Sequence, residues 1–274
     1  MKKSKLFVLP ILFVTSLASC SGFDADHSIV PMLNYDSIKF NLGGETWYET
    51  DTDRLYNLID NKYSFVLEIY QNNCIHCQEF EVHLRDYITN NHYQFYRLGL
   101  NTSAERENFY VLTQTFPEVF ENFVGTPAVY FIDKGKLTYE VSSNKFSSYA
   151  AFAKIADKHF FSNHMYSVST IDGLNAYLED FSSSFIYMMD PSSIVSSEIF
   201  NLIHEYKKDS DKNVLMIDYS SIDDENYTQI CARLNVGITD HFAIYYNEKD
   251  SRTNVDYLVD DGKSIKEWLT SYLA

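Results

Sequence analysis

One stretch limits the folds open to this chain: Ser64 to Phe80, which reads SFVLEIYQNNCIHCQEF. Its first part, Phe65-Val66-Leu67-Glu68-Ile69-Tyr70, is an apolar run with the length and the aromatic and β-branched content of a buried strand. Gln71-Asn72-Asn73 breaks the run. Cys74-Ile75-His76-Cys77 then leads into a helical pattern carried by Phe80, His83, Leu84 and Tyr87. Two cysteines, two residues apart, therefore stand where a strand turns into a helix. Glu68 has apolar neighbours on both sides, which favours its burial.

The 274 residues suggest two domains, and 45% hydrophobic with 16% aromatic residues is enough for two cores. The formal charge of −16 is spread along the chain. An acidic surface of this kind excludes nucleic acid as a partner class. Residues 1–20 read as a targeting segment: Lys2, Lys3 and Lys5, then the short apolar run Leu6 to Leu17, then Leu17-Ala18-Ser19-Cys20. The last four resemble the lipobox of bacterial lipoproteins, which implies cleavage before Cys20, its lipidation, and a protein held on the outer side of the cell membrane. The alternative is an ordinary secretory signal. Residues 21–36 are polar with little pattern and read as a tether.

Export bears on the cysteines, because thiols outside the cytosol are not held reduced. Cys20, Cys74, Cys77 and Cys231 are the four in the chain. One close pair and one odd residue do not make a disulfide framework. Cys231 lies on the apolar side of a predicted helix and reads as a small buried hydrophobe. The close pair could be an inert local disulfide or half of a zinc site. No second C-x-x-C or H-x-x-x-H pattern completes the latter.

From 37 to 162 the predicted elements run in order. Ser37 to Asn41 reads as a strand, Asp51 to Asn61 as a helix, and Phe65 onward as a strand with the Cys74 helix after it. Tyr93 to Leu100 is a strand, Ala104 to Thr115 a helix, and Ala128 to Ile132 a strand preceded by Gly125-Thr126-Pro127. Asp133-Lys134-Gly135-Lys136 turns into the strand Leu137 to Val141, and Lys145 to His159 is a helix. Over these residues the chain resembles the thioredoxin family. The resemblance rests on the C-I-H-C pair after the second strand, on Glu68 six residues before Cys74, and on Thr126-Pro127 where the family has its cis-proline. Asn73 replaces the family's Trp before the first cysteine. The helix after the pair lacks the family's kinking Pro.

The resemblance implies thiol–disulfide exchange with no cofactor. A helix N-terminus favours a thiolate, so Cys74 is the expected nucleophile and Cys77, one turn in, the resolving thiol. His76 can hold positive charge beside Cys74, as in disulfide isomerases and periplasmic oxidases. It points to a potential nearer roughly −180 to −120 mV than the roughly −270 mV of a reducing thioredoxin. Glu68 is the expected proton acceptor, and Thr126 with Pro127 the wall of the substrate groove.

From 163 to 274 the same order returns. SFIYMMDPSSIVSSEIF at Ser184 aligns without gaps on the stretch at Ser64, at an offset of 120 residues. Cys74 falls on Ile194, Cys77 on Ser197 and Glu68 on Met188, while Pro127 falls on or close to His241. The expected fold class is therefore α/β, as tandem thioredoxin-like folds of which the second has lost its redox positions. The expected partners are exported proteins with thiols or disulfides, a membrane redox partner and the lipid anchor. The rivals are a tethered binding or adhesion protein with a vestigial pair, and a lipoprotein delivering soft Cu(I) through Cys74 and Cys77.

Overall fold

The computed structural model describes residues 29–42, 47–142, 148–160, 164–207, 210–238, 242–247 and 253–255, with 267 and 269 singly. The targeting segment with Cys20, and His241, lie outside the described residues.

The chain opens with strand β1 (Leu33–Asn34) and helix α1 (Tyr35–Phe40). Here the structure differs from the sequence reading of a strand over 37–41. The Asn34 side chain accepts from the Ser37 N–H, and Asn41 ends the helix in the left-handed region at φ 49°. The alternation of Ile38 and Phe40 that imitates a strand comes from two side chains that stay partly exposed. The tether expected over 21–36 is also corrected for its second half, because Ile29, Val30, Met32 and Tyr35 are buried. Full burial of a side chain such as Ile29 contributes about 1.5–3 kcal/mol, so the four together offset much of the cost of ordering the segment.

The first sheet begins at β2 (Trp47–Glu49). It continues through helix α2 (Thr52–Asp60), β3 (Phe65–Tyr70), α3 (Ile75–Asn91), β4 (Phe95–Gly99), α4 (Ser103–Thr115) and α5 (Pro117–Phe120), then β5 (Ala128–Asp133), β6 (Lys136–Ser142) and α6 (Tyr149–His159). Asp51 caps α2, and Thr102 with Glu105 forms a capping box on α4. The strand order is β2-β4-β3-β5-β6. β2, β4 and β3 pair in parallel, and β5 pairs antiparallel with both β3 and β6. Alternation along β3 sorts the two faces. Val66 joins Phe80, Leu84 and Phe152 of α3 and α6, and Leu67 and Ile69 join Leu55, Leu58 and Leu112 of α2 and α4.

The second sheet uses β7 (Met165–Ser167), α7 (Ile171–Asp180), β8 (Ser183–Met189), α8 (Ile194–Lys207), β9 (Val214–Asp218), α9 (Asp224–Leu234), β10 (Phe242–Asn247) and β11 (Thr253–Val255). Its order is β1-β7-β9-β8-β10-β11. Apart from β1, strand order and direction repeat those of the first sheet. The molecule is thus a tandem of thioredoxin-like α/β units.

β1 pairs in parallel with β7, and Asp36 of α1 accepts from the N–H and hydroxyl of Ser169 ahead of α7. Residues 33–40 therefore belong with the second sheet although they precede the first in sequence. The same strap touches the first unit through bridges from Ile29 to Phe160 and from Leu33 to Tyr93. The units also meet directly. Arg54 of α2 pairs with Asp218 of β9, Tyr96 Oη donates to the same carboxylate at 3.0 Å, and the Tyr63 and Phe200 rings lie 5.1 Å apart.

Candidate active site

β3 runs to Tyr70, the chain turns, and Cys74 caps α3. The Cys77 N–H donates to Cys74 Sγ at 3.1 Å, so the first turn of the helix is aimed at that sulfur. The Cys74 thiol in turn faces the Thr126 carbonyl oxygen at 3.5 Å. Both cysteines are free thiols, Cys74 half-buried and Cys77 buried. Burial, reinforced by the hydrogen bond with Cys74, pushes the Cys77 thiol up to about 11. The Thr126–Pro127 peptide bond is cis. Ile75, the first residue of α3, and Val124, two residues before Thr126, are 65% and 83% exposed and leave apolar surface on this side of the unit.

Glu68 lies on the face of β3 that Val66 shares, toward α3, and is fully buried. Arg97 stands opposite it on β4 and donates from Nε to Glu68 Oε2 at 2.6 Å. Arg97 also approaches Glu81 of α3 at 3.4 Å and Glu49 at 3.5 Å. Its guanidinium lies over the Trp47 and Tyr70 rings, 4.2 and 4.0 Å from their centroids. Burial raises the Glu68 carboxyl to about 7 against the pull of that guanidinium. Glu68 Oε1 is buried with no hydrogen-bond partner among the described residues. One oxygen of the carboxylate is thus held by Arg97 and the other is left open.

The sequence reading missed Arg97, although a lone arginine inside the apolar run Phe95-Tyr96-Arg97-Leu98 signals a buried partner. It missed Gln71 as well, which accepts from Thr126 Oγ1 at 3.1 Å and donates to the Leu100 carbonyl at 3.0 Å. His76, between the two cysteines in sequence, lies on the exposed side of α3. Its ring is 71% exposed and lies 3.4 Å from Glu79 Oε2, so any charge it carries faces solvent and an opposing carboxylate. The structure thus brings together Cys74, Cys77, Thr126 and Pro127, sets Glu68 in the layer below α3, and turns the His76 ring toward Glu79 at the surface. No three His, Cys, Asp or Glu side chains converge to hold a metal among the described residues.

In the second unit Ile194 is exposed and Ser197 buried at the places of Cys74 and Cys77. The register pairing of Glu68 with Arg97 recurs as Met188 with Ile217, 120 residues on. The turn before α8 is occupied by the first unit: Asn61 Nδ2 donates to the Pro191 carbonyl at 3.2 Å, and Tyr63 Oη to that of Asp190 at 3.3 Å.

No family model matches the chain, and no curated protein matches it. Among solved structures it is similar to the human ERp44 zinc-bound form, at 14% identity over 83% of this chain and 60% of that one, with a TM-score of 0.30. It is similar to ERdj5 form II, at 13% identity over 84% of this chain and 30% of that one, with a TM-score of 0.34. Thioredoxin from Aeropyrum pernix aligns with 40% of this chain and 83% of its own, at 13% identity and a TM-score of 0.30. The chain spans less than two thirds of the length of the first two.

Proposed function

We propose that the first unit is a dithiol–disulfide oxidoreductase acting on exported proteins, held at the outer face of the membrane through lipid on Cys20. One observation carries the reading: the Cys77 N–H, at the start of a 17-residue helix, donates to Cys74 Sγ while Cys77 itself is buried. A donor and the positive end of a helix both favour negative charge on that sulfur and leave Cys77 in reserve.

The Cys74 thiolate attacks one sulfur of a substrate disulfide. A Cys74–substrate S–S bond forms, and the other substrate sulfur leaves as a thiolate that takes a proton. Cys77 gives its proton to the Glu68 carboxylate and attacks Cys74 Sγ. The Cys74–Cys77 bond forms and the second substrate sulfur leaves, to be protonated in turn. The dithiol is oxidised by two electrons and the substrate reduced by two. The reverse steps oxidise a substrate dithiol, and attack without resolution isomerises a disulfide. A membrane redox partner, through its own dithiol or disulfide, returns the pair to its working state.

Equilibration in glutathione buffers, with free thiols alkylated and counted, tests this. Cys74 and Cys77 are expected to convert together in one two-electron transition between roughly −270 and −120 mV, and the protein to catalyse exchange in a protein disulfide. A pair that never oxidises, or a protein that catalyses no exchange, would overturn the reading.

A further inference from the structure

Gln71 touches all three loops that meet at the cysteines. Its backbone carbonyl accepts from the Cys74 N–H at 3.2 Å. Its Nε2 donates to the Leu100 carbonyl after β4 at 3.0 Å, and its Oε1 accepts from Thr126 Oγ1 at 3.1 Å. The amide orientation follows from chemistry, since a backbone carbonyl can only accept and the nitrogen must face it. Thr126 is thereby anchored through Gln71 to the end of β4, with its own carbonyl directed at Cys74 Sγ. Asn72 ties the same two β-strand ends together, its N–H donating to Asn101 Oδ1 at 2.8 Å. In the second unit the residue 120 places on is Pro191, whose side chain can neither donate nor accept.

We propose that Gln71 is a positioning residue for polypeptide substrates: it holds Thr126, the wall of the groove, at a fixed distance from the Cys74 sulfur. The inference rests on the dithiol reading above. A polypeptide that lies along Thr126 and Pro127 depends on that wall, whereas a small disulfide reaches Cys74 without it.

The test uses Gln71→Met, which keeps the volume and removes both hydrogen bonds, Thr126→Val, which keeps the shape and removes the hydroxyl, and their combination. The substrates are a protein disulfide and oxidised glutathione. Each single variant is expected to raise KM for the protein disulfide about fivefold, the size of one net hydrogen bond, with a smaller effect on kcat and on glutathione exchange. The double variant is expected to match the singles, because both remove one link. Additive losses, or equal losses with both substrates, would overturn the positioning role, as would a Gln71→Met variant that matches wild type. A wild-type protein that exchanges with neither substrate overturns the dithiol reading and this inference together.

Discussion

Ser64–Phe80 and Ser184–Phe200 build the same frame twice: a buried central strand, a turn, and a helix packed on the strand's face. The two differ in what fills it. The first holds Cys74 and Cys77 over the buried Glu68–Arg97 pair. The second holds Ile194 and Ser197 over Met188 and Ile217. Apolar residues are what a buried sheet requires, so Met188 and Ile217 show that this frame is satisfied without charge. A buried acid and base are costly to maintain and are no fold requirement here. The turn before the helix differs too. In the first unit it lies beside exposed apolar surface, and in the second it is covered by Asn61 and Tyr63.

That contrast can be broken from either side. The largest effect is expected from Cys74→Ser, which should reduce exchange with a protein disulfide to background. Placing Ile194→Cys and Ser197→Cys in a chain that also carries Cys74→Ser and Cys77→Ser is expected to give a pair that exchanges at least about 100-fold more slowly than wild type. Met188 and Ile217 supply no proton acceptor there. Turnover at wild-type rate in the second frame would erase the distinction.

The next effect concerns stability. Arg97→Ile alone strands Glu68 and is expected to cost about 3–5 kcal/mol in urea unfolding. Glu68→Met with Arg97→Ile installs the pair found in the second frame and is expected to be at least as stable as wild type, yet slow in exchange. A double variant as unstable as the single would mean that the ion pair holds the first unit together.

Glu68→Gln sharpens the chemical half. The proton acceptor is the ionised carboxylate, which prevails above about 7, so the Cys77-dependent step should accelerate as pH rises through about 7. The variant should lose that rise and about 100-fold in rate at pH 8. Linkage gives a second sign. A carboxyl raised from 4.5 to about 7 binds its proton more tightly folded than unfolded, so its contribution to stability falls as pH rises between those values. Equilibrium unfolding of wild type and variant across that window measures the slope, which Glu68→Gln should flatten.

The smallest effect is at the strap. A Cβ on Gly173 would overlap the Asp36 carboxylate that ties α1 to α7. Gly173→Ala is expected to cost about 1–3 kcal/mol in urea unfolding and to leave Cys74 exchange intact.

How much of this could be read from sequence depends on the kind of interaction. Strands and helices with strong periodicity were legible, and so was the frame repeated at 120 residues, because burial writes itself into apolar spacing. The strap was not: Ile29 to Leu33 is too short to show a period, and its partners Phe160 and Tyr93 lie far along the chain. Glu68 was legible from its apolar neighbours, but Arg97 needed the register of β3 against β4, which no local pattern encodes. Gln71 reads as a strand breaker until Thr126 and Leu100 are brought to it. His76 looked like a modulator from spacing alone, and its rotation toward Glu79 on the exposed side of α3 decides what it faces.

The central claim is that chemistry resides in the first frame and starts at Cys74. It is tested most directly by offering a peptide disulfide to the Cys77→Ser protein and locating the trapped adduct by mass spectrometry. The account predicts a stable mixed disulfide on Cys74 and none on the buried Cys231. No adduct, or equal labelling of Cys74 and Cys231, would contradict it.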